Sequence, residues 1–512
     1  MRRSSLRVVT ALRAVRVLDE VVTRKHKLES TFLRIALADR LDAGAAALLR
    51  DICSGTLRHL DHYERLIEYG APPRVVADPL LRLLTASTLY QTEQMDRAPS
   101  AALLREAAAE CCRPLERPWA SQPVREFCEG LAGMSYAARD EMHTPASALS
   151  LPRWLHQQLR KQRAPLDDFA PLLLRRPESL CLHVPPSQYD GGRAGYAERE
   201  LRRHDATLRS SPSPLAPHAL LVHSRPRHVD RLPGVAERRV HVQDAVQQFA
   251  PSVLARLQPG QRVLDACAAP GGKSRALLSM HPSGVRLVAV ERHPRKAAAL
   301  RAQLGQTAKA YGLQDDAVEV HCADVADASA WWDGVPFDAA LIDAPCSATG
   351  LLRTLPEVKA HVSEDSVSTL CALQARLLRA VWPTLREGGE CVYATCSILD
   401  RENGQIVRDF VRDAADAAVV PIDVPCGAAA ATRHTSHGVV FYPSEEHQGG
   451  FVALLRKGGA ASDRRRSGLV AAGAGGGSKA SASPERAHRP RAARSRPRSR
   501  GRTKAAGRRP SR

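Results

Sequence analysis

The sequence predicts a multidomain fold: an N-terminal all-α bundle, a small α+β domain, a C-terminal α/β domain with a mostly parallel sheet, and a disordered basic tail. Three observations support this prediction. Apolar residues recur at helical spacing from about residue 8 to 142, strands alternate with helices from His241 to Lys457, and the composition narrows to Gly, Ala, Ser, Pro and Arg after Lys457. A chain of 512 residues is also too long for one ordinary core.

The first predicted domain, residues 1–145, is helical. Between Ala45 and Tyr69 apolar residues recur at steps of three to five, and Gly70 is suited to end that segment. Proline-rich turns separate further predicted helices over Pro79–Gln94, Ser100–Cys112 and Val124–Ala138. The pattern is typical of a helical bundle.

The second predicted domain, residues 150–240, mixes helix and strand. Trp154–Gln162 predicts a short helix, and the apolar runs Leu180–Val184 and Ala219–Val222 predict strands between proline-rich joints. Residues 241–457 form the predicted α/β domain, because strands and helices alternate there as in a doubly wound parallel sheet.

The predicted tail, residues 458–512, carries most of the net charge. Residues 463–512 contain sixteen Lys and Arg against two acidic residues, so they account for +14 of the net +20. This composition buries too little apolar area to offset chain entropy, which predicts disorder. The tail is either a solvated segment or a nonspecific electrostatic tether to RNA.

Twelve cysteines without regular spacing, and no recognisable signal peptide, argue against a disulfide framework and indicate a reducing compartment. No run approaches eighteen apolar residues. No C-x-x-C pair or cluster of histidines suggests a metal site. We therefore expect free thiols, no metal, and a soluble cytoplasmic protein without a membrane partner.

A small-residue turn follows the predicted strand Arg262–Ala266 and opens the next helix. Glycines in such a turn let main-chain N–H groups and a helix N-terminus face a bound cofactor. The end of the turn also resembles a phosphate loop, but Cys267 stands where that loop needs its first glycine, which disfavours a nucleotide triphosphatase. The candidate cofactor-binding residues of this turn are Cys267, Ala268, Ala269, Pro270, Gly271, Gly272 and Lys273.

Two acids follow the next two predicted strands. The strand Val285–Val290 ends at Glu291, about twenty residues after the glycines, where an acid can bind both hydroxyls of a ribose. The strand Val318–Val320 leads to Asp324, whose carboxylate would lie at the same sheet edge near an adenine amino group. Each acid alone is as readily a loop carboxylate or a helix cap. Their occurrence at successive strand ends favours a cofactor site.

The fourth and fifth predicted strands, Phe337–Ile342 and Gly389–Ala394, deliver two cysteines to the same edge. Asp343 and Cys346 follow the first of these strands, and Cys396 follows the second. A cysteine beside a cation or a helix end can serve as a nucleophile for covalent catalysis. Cysteines are also often small buried hydrophobes, and we expect that role for Cys53, Cys111, Cys112, Cys128, Cys181, Cys371, Cys391 and Cys426.

Three segments, Val263–Ser274, Leu341–Gly350 and Val392–Asn403, resemble the motifs of the bacterial ribosomal RNA cytosine-5 methyltransferases of the Sun/Fmu type, in the Nop2/Sun family. Ala47–Leu60 resembles the NusB-type RNA-binding domain that precedes the catalytic domain in bacterial members. The resemblance covers roughly residues 20 to 457 and implies a Rossmann-like methyltransferase domain over residues 241–457.

The resemblance also implies a mechanism. S-adenosylmethionine would bind at the Cys267–Lys273 turn, Glu291, Asp324 and Asp343. Cys396 would add to carbon 6 of a cytosine, which makes carbon 5 nucleophilic toward a methyl group, and Cys346 would assist release. Glu291 is one methylene longer than the aspartate that is usual at this position.

The implied substrate is a cytosine of RNA, specifically of small-subunit (16S) ribosomal RNA, with no DNA partner and a monomeric enzyme. Two departures from the family pattern concern segments outside the cysteine motifs, Leu182–Pro185 and Arg353–Pro356, the second of which lacks a histidine. An alternative is a noncatalytic RNA-binding or assembly protein that retains the fold. A cofactor-binding assay would discriminate between the two.

Overall fold

A computed structural model of the chain describes residues 2–95, 100–224, 226, 229–281, 284–314, 316–425 and 431–458. Cys426 and the predicted tail from residue 459 onward lie outside the described residues.

The N-terminal part of the chain is helical. Its helices are α1 (Arg2–Val22), α2 (Leu28–Ala38), α3 (Ala43–Arg58), α4 (Leu60–Gly70), α5 (Pro73–Val76), α6 (Pro79–Gln94), α7 (Ala101–Cys111), α8 (Ser121–Gly133), α9 (Tyr136–Asp140), α10 (Pro145–Ala148), α11 (Arg153–Lys161) and α12 (Leu166–Leu173).

Local sequence signals explain where several of these helices begin. The Asp42 side chain accepts a hydrogen bond from the main chain at the start of α3, and Asp78 does the same for α6, whose first residue is Pro79. The helical segment predicted between Ala45 and Tyr69 consists of two helices that meet at His59. Their apolar faces share a core with α1 and α6.

A small antiparallel sheet follows. Its elements are β1 (Leu180–His183), α13 (Gly192–Gly195), a π-helical turn (Tyr196–Leu201), α14 (Arg202–His204), β2 (Ser210–Pro212), β3 (Ala219–Val222) and β4 (His241–Val242). The strand order is β2-β3-β1-β4. The apolar runs predicted as strands therefore lie side by side as β1 and β3.

The C-terminal part contains the large sheet. Its elements are α15 (Ala245–Ser252), β5 (Arg262–Ala266), α16 (Gly272–Met280), β6 (Arg286–Val290), α17 (Pro294–Ala310), β7 (Val318–His321), β8 (Phe337–Asp343), α18 (Val358–His361), α19 (Glu364–Val381), β9 (Leu385–Thr395), α20 (Gly404–Asp413), β10 (Ala417–Val420), β11 (Thr432–Thr435), β12 (Gly438–Phe441) and β13 (Gly450–Lys457).

Among the described residues this sheet has nine strands in the order β11-β12-β13-β9-β8-β5-β6-β7, with β10 also paired to β13. Strands β5 to β9 pair in parallel, whereas β10 to β13 make only antiparallel pairings. The prediction of a mostly parallel sheet is therefore confirmed only in part: β5 to β9 are parallel, but the sheet as a whole is mixed. The reason is connection length: two residues join β11 to β12, and so short a turn permits only an antiparallel pair.

The parallel strands are buried on both faces, which explains their continuous apolar sequences. Leu264 and Ile342 face one core, and Val263 and Leu341 face the other. The first core also receives residues of α11 and α12, so the end of the helical part packs directly on the sheet.

The helical part and the sheet part also contact each other through α18 and the segment before it. The buried Lys359 Nζ donates to Ser150 O at 2.6 Å, and Arg58 Nη2 donates to Arg353 O at 3.0 Å. The described residues belong to one compact unit. The predicted boundaries between three domains within it remain a prediction.

In the portion of the chain that the structure describes, no helix combines the length and the apolar character needed to cross a bilayer.

Candidate active site at the carboxyl edge of the parallel strands

The five parallel strands end at one edge of the sheet. Strand β5 lies between β6 and β8, and the chain proceeds outward from it in both directions, so the strand order reverses beside β5. Crevices at such reversal points bind ligands in open α/β sheets. A cavity of about 590 Å³ opens at this edge. That volume lies within the range of roughly 300 to 1,000 Å³ that is common for pockets that bind small molecules.

Most of the candidate site residues line this cavity. They are Cys267, Ala269, Glu291, Asp324, Asp343, Cys346 and Cys396. The remaining candidates do not line it: Ala268, Pro270 and Gly271 belong to the turn after β5, and Gly272 and Lys273 are the first two residues of α16. The structure thus gathers residues from five strand ends around one space.

The turn after β5 needs a glycine at Gly271. This residue has φ +95°, and a Cβ atom there would lie 2.8 Å from Leu300 Cδ1. Gly271 is also the residue before the first turn of α16, so the free N–H groups of that helix begin two residues after Ala269, which lines the cavity. Cys267 has a positive φ of 64° and marks the other end of the turn.

Lys273 and Asp343 form a largely buried ion pair. Lys273 Nζ lies 2.7 Å from Asp343 Oδ2, and only 7% of the lysine side chain is exposed. Burial alone would lower the pKa of Lys273, but the Asp343 carboxylate and its hydrogen bond outweigh burial and raise that pKa. Lys273 also donates to Gln247 Oε1. It therefore stays cationic and fixes Asp343 at the cavity wall.

Asp265 lies beneath the turn and was missed by the sequence analysis. Burial, with some repulsion from Asp343, raises the pKa of its carboxyl group to about 7, although Ser274 Oγ donates a hydrogen bond to it. Its Oδ1 atom is buried without a protein partner. The only sequence signal was an acid at an otherwise apolar position of β5.

The acids after β6 and β7 are held by the main chain. Glu291 Oε1 accepts a hydrogen bond from His293 N at 2.8 Å, and Asp324 Oδ1 accepts one from Ala326 N at 2.9 Å. Arg376 Nη2 lies 3.3 Å from Asp324 Oδ2. Both carboxylates therefore have fixed directions at the cavity before any ligand binds.

The two cysteines meet. Cys346 Sγ and Cys396 Sγ lie 3.2 Å apart, and both side chains are partly exposed to the cavity. The hydrogen bond to Cys396 and burial together hold the pKa of Cys346 well above its ordinary value, with a further contribution from the Glu402 carboxylate. Cys346 is therefore a thiol near neutral pH.

Other cysteines differ from this pair. Burial raises the pKa of Cys267 to about 12, which makes this thiol a poor nucleophile although it lines the same cavity. Most cysteines expected to be small buried hydrophobes are buried, but Cys371 is only half-buried; the buried ones are Cys53, Cys111, Cys112, Cys128, Cys181 and Cys391.

Glu402 is a second acid that the sequence analysis missed. It is fully buried and accepts hydrogen bonds from Ser347 N, Ser347 Oγ and Ser397 Oγ. These serines directly follow Cys346 and Cys396 in the chain. No local sequence pattern marked Glu402, because an acid close before the start of a helix, here α20, is ordinarily exposed.

Lys27 was also missed. It precedes α2 in the helical part, yet it lines the cavity together with apolar side chains of α19, among them Leu370 and Leu373. No local pattern distinguishes it from other surface lysines. Its position shows that the helical part supplies a cationic group to the wall of the cavity.

Comparison with known proteins gives this arrangement a class. Residues 252–456, which contain β5 to β13 up to Arg456, match the family model described as 16S rRNA methyltransferase RsmB/F. The fold and the site thus define an enzyme of the methyltransferase class.

Relatives extend the match to most of the chain. The ribosomal RNA small subunit methyltransferase B of Xanthomonas campestris is 37% identical over 456 residues, which cover 87% of this chain and 96% of the relative. The protein of the same name from Pseudomonas syringae is 32% identical over 450 residues, covering 86% and 95% of the two chains. This chain belongs to the RsmB/F family of small-subunit ribosomal RNA methyltransferases, as its motifs predicted.

A solved structure agrees in fold. The crystal structure of PH0851 superposes with a TM-score of 0.68 at 20% identity and covers 87% of this chain and 98% of its own. The likeness therefore includes the helical part as well as the large sheet.

Proposed function

We propose that this enzyme methylates carbon 5 of a cytosine in small-subunit (16S) ribosomal RNA, with S-adenosylmethionine as methyl donor and Cys396 as nucleophile. One observation supports this proposal above the others. Two thiols 3.2 Å apart line the same cavity as three strand-end carboxylates. A methyltransferase that acted on a ribose hydroxyl or an exocyclic amine would need no second sulfur beside the first.

The cavity fits S-adenosylmethionine in size and chemistry. Glu291 can accept hydrogen bonds from both ribose hydroxyls, and Asp324 can accept one from the adenine amino group. Val290, Leu373 and Leu377 provide apolar walls for the adenine ring. The N-terminus of α16 and the Lys273–Asp343 pair lie at the strand end beside them. Once bound, the cofactor supplies an electrophilic methyl group.

Cys396 performs the first step in this mechanism. Its thiolate adds to carbon 6 of the cytosine, and the electrons of the 5,6 double bond make carbon 5 nucleophilic. Cys346 hydrogen-bonds to Cys396 before this step and is held as a thiol. The sulfur of Cys396 then becomes a thioether, which ends the contribution of Cys396 to the raised pKa of Cys346, while burial and the Glu402 carboxylate remain.

Cys346 then performs the release. Once Cys396 is bonded to carbon 6, Cys346 gives its proton to solvent water in the open cavity and, as a thiolate, removes the proton from the methylated carbon 5. The electrons of that C–H bond re-form the double bond and expel Cys396 as a thiolate. The proximity of the two sulfur atoms supports this division of roles.

The RNA must present an unstacked cytosine. Reaching sulfur atoms within the cavity requires the base to leave its stack at a cost of roughly a few kcal/mol, which favours single-stranded or loop sites. The names of the relatives point to small-subunit ribosomal RNA. RNA binding by a NusB-like bundle over residues 1–145 and by residues 150–240 is part of this proposal.

Bisulfite sequencing of ribosomal RNA tests the proposal. In cells that lack this protein, one cytosine of the small-subunit RNA should lose its methylation, and the wild-type gene should restore it. A Cys396→Ser gene should fail to restore it because serine is a far weaker nucleophile toward carbon 6.

The matched control is Cys322→Ser, which replaces an exposed cysteine that does not line the cavity. This variant should restore methylation fully. Unchanged methylation at every cytosine of the deletion strain, or full restoration by Cys396→Ser, would contradict the proposal.

A further inference from the structure

We infer that Glu402 is the positioning residue that holds the two cysteine loops together and so sets the distance between Cys346 and Cys396. The inference rests on the proposed function for its catalytic consequence. Its geometric content stands on the contacts of Glu402 alone.

One carboxylate contacts both cysteine loops. Glu402 Oε1 accepts from Ser347 N at 2.8 Å, and Oε2 accepts from the hydroxyl groups of Ser347 and Ser397. Each serine is the next residue after a cysteine. Any displacement of Glu402 is therefore transmitted through a single peptide unit to each sulfur-bearing residue.

A third element anchors the carboxylate. Gln374 Nε2, on α19, donates to Glu402 Oε1 at 3.1 Å and to Pro345 O at 2.9 Å, immediately before Cys346. The Tyr393 hydroxyl group, on β9, donates to the main-chain oxygen of Glu402 at 2.7 Å. Glu402 is thus connected to the helix beside the cavity and to the strand that delivers Cys396.

The hydroxyl groups form a network around this carboxylate. Thr349 Oγ1 lies 3.2 Å from Ser347 Oγ and 3.0 Å from Ser397 Oγ. The network crosses from one loop to the other without contacting the cavity, since none of its side chains lines it. Glu402 therefore acts through the cysteines and does not touch the substrate.

A carboxylate suits this place better than any neutral side chain. Its two oxygens accept four hydrogen bonds, two each, and it has no hydrogen to donate. In Glu402→Gln an NH2 group replaces Oε2, so the hydroxyl groups of Ser347 and Ser397 lose their acceptor at position 402 and must turn to accept from the amide instead. Neutral hydrogen bonds then replace charge-assisted ones between the two loops, and because these are weaker, the loops are held together less tightly.

The rate of disulfide formation reports directly whether the sulfur atoms of Cys346 and Cys396 are held close together. Two sulfurs held 3.2 Å apart should couple quickly when diamide accepts their two hydrogens, and this reaction needs neither RNA nor methyl donor. We expect the Cys346–Cys396 disulfide to form at least about tenfold more slowly in Glu402→Gln than in wild type. Peptide mapping by mass spectrometry identifies the bond.

The kinetics of RNA methylation measure the catalytic effect of changing Glu402. Glu402→Gln should lower kcat for RNA methylation by about 100-fold, with the KM values for RNA and methyl donor within about twofold of wild type. Glu402→Asp should recover part of the rate of disulfide formation and part of kcat, because its carboxylate retains the two acceptor oxygens. A residue with only a structural role would not slow the disulfide in a folded protein.

Two further variants keep the test decisive. Ser347→Ala removes one hydroxyl donor and should produce smaller losses of the same kind, whether or not Glu402→Gln folds. Glu20→Gln alters a buried glutamate of the helical part that pairs with Arg34, and it should leave both rates unchanged.

The outcomes distinguish the positioning role of Glu402 from the proposed function of the enzyme. If Glu402→Gln and Ser347→Ala form the disulfide at the wild-type rate, the inference is wrong whatever the methylation assay gives. If the disulfide slows as expected but wild-type enzyme methylates no RNA, the inference stands and the proposed function fails.

Discussion

The methyl group added by Gly350→Ala should displace the main chain that carries Cys396. Gly350 N donates to Cys396 O at 2.9 Å, and Gly449 N donates to Gly350 O at the same distance. A Cβ atom at position 350 would lie 2.4 Å from Gly449 O and 2.8 Å from Cys396 O. Both neighbours are main-chain atoms, so no side chain can rotate away.

The size of the effect follows from these distances. Ordinary contact begins at 3.4 Å, so in Gly350→Ala the main chain at Gly449 must move by about 1 Å and that at Cys396 by about 0.6 Å. A misplacement of about 1 Å in a catalytic group can cost about 100-fold in rate. We therefore expect kcat to fall between about 10-fold and 100-fold, which corresponds to about 1.4 to 2.7 kcal/mol.

Transfer of a tritiated methyl group to ribosomal RNA measures this loss, and thermal unfolding monitors the fold. The control is Gly305→Ala on the exposed surface of α17, where a Cβ meets nothing within 4 Å and alanine favours the helix. Gly305→Ala should keep full activity and melt at the same or a higher temperature. A Gly350→Ala enzyme with kcat within twofold of wild type would refute the reasoning.

Two more predictions concern ligand binding and pH. Glu291→Ala should weaken binding of S-adenosylmethionine by about 10- to 100-fold in calorimetry, since it loses hydrogen bonds to a charged acceptor; an unchanged Kd would contradict the ribose assignment. Burial lowers the pKa of Lys359 from 10.5 to about 8. The folded protein therefore bears the full cost of burying the charged lysine below pH 8, and it loses that cost, and so becomes more stable, as pH rises from 8 past 10.5. Relative to Lys359→Met, wild type should therefore gain about 3 kcal/mol in the free energy of unfolding between pH 7.5 and 10.5, whereas identical pH dependences would contradict the buried cation.

Local periodicity was sufficient to predict the parallel half of the sheet. Glu291, Asp324 and Cys396 each follow a short apolar run, and the ends of parallel strands must share one edge. The convergence of Cys346 and Cys396 follows from the same rule, because β8 and β9 are neighbours. The strand-end residues of the site could therefore be predicted without knowledge of the packing.

The antiparallel half could not be predicted in the same way. Strands β10 to β13 are short apolar runs whose direction depends on the turns that join them, and one of those turns has only two residues. The alternation of strands and helices earlier in the domain indicated only the parallel strands and did not indicate these antiparallel pairings. Pairing direction is a property of connections, and apolar spacing alone does not encode it.

Long-range contacts account for the residues that were missed. Glu402 meets Ser347 across 55 positions and Gln374 across 28, and its burial depends on both. Lys27 reaches the cavity only because the helical part packs against α18 and α19. No window of sequence contains both partners of such contacts.

The central claim is that Cys396 bonds covalently to the cytosine and that Cys346 is needed to release it. The direct measurement is the amount of protein–RNA complex that survives denaturation after Cys346→Ala is incubated with S-adenosylmethionine and small-subunit RNA. We predict that Cys346→Ala accumulates this complex, with mass spectrometry locating the bond at Cys396, and that the double variant with Cys396→Ala forms none. A complex that persists in the double variant, or a Cys346→Ala enzyme that turns over like wild type, would contradict the account.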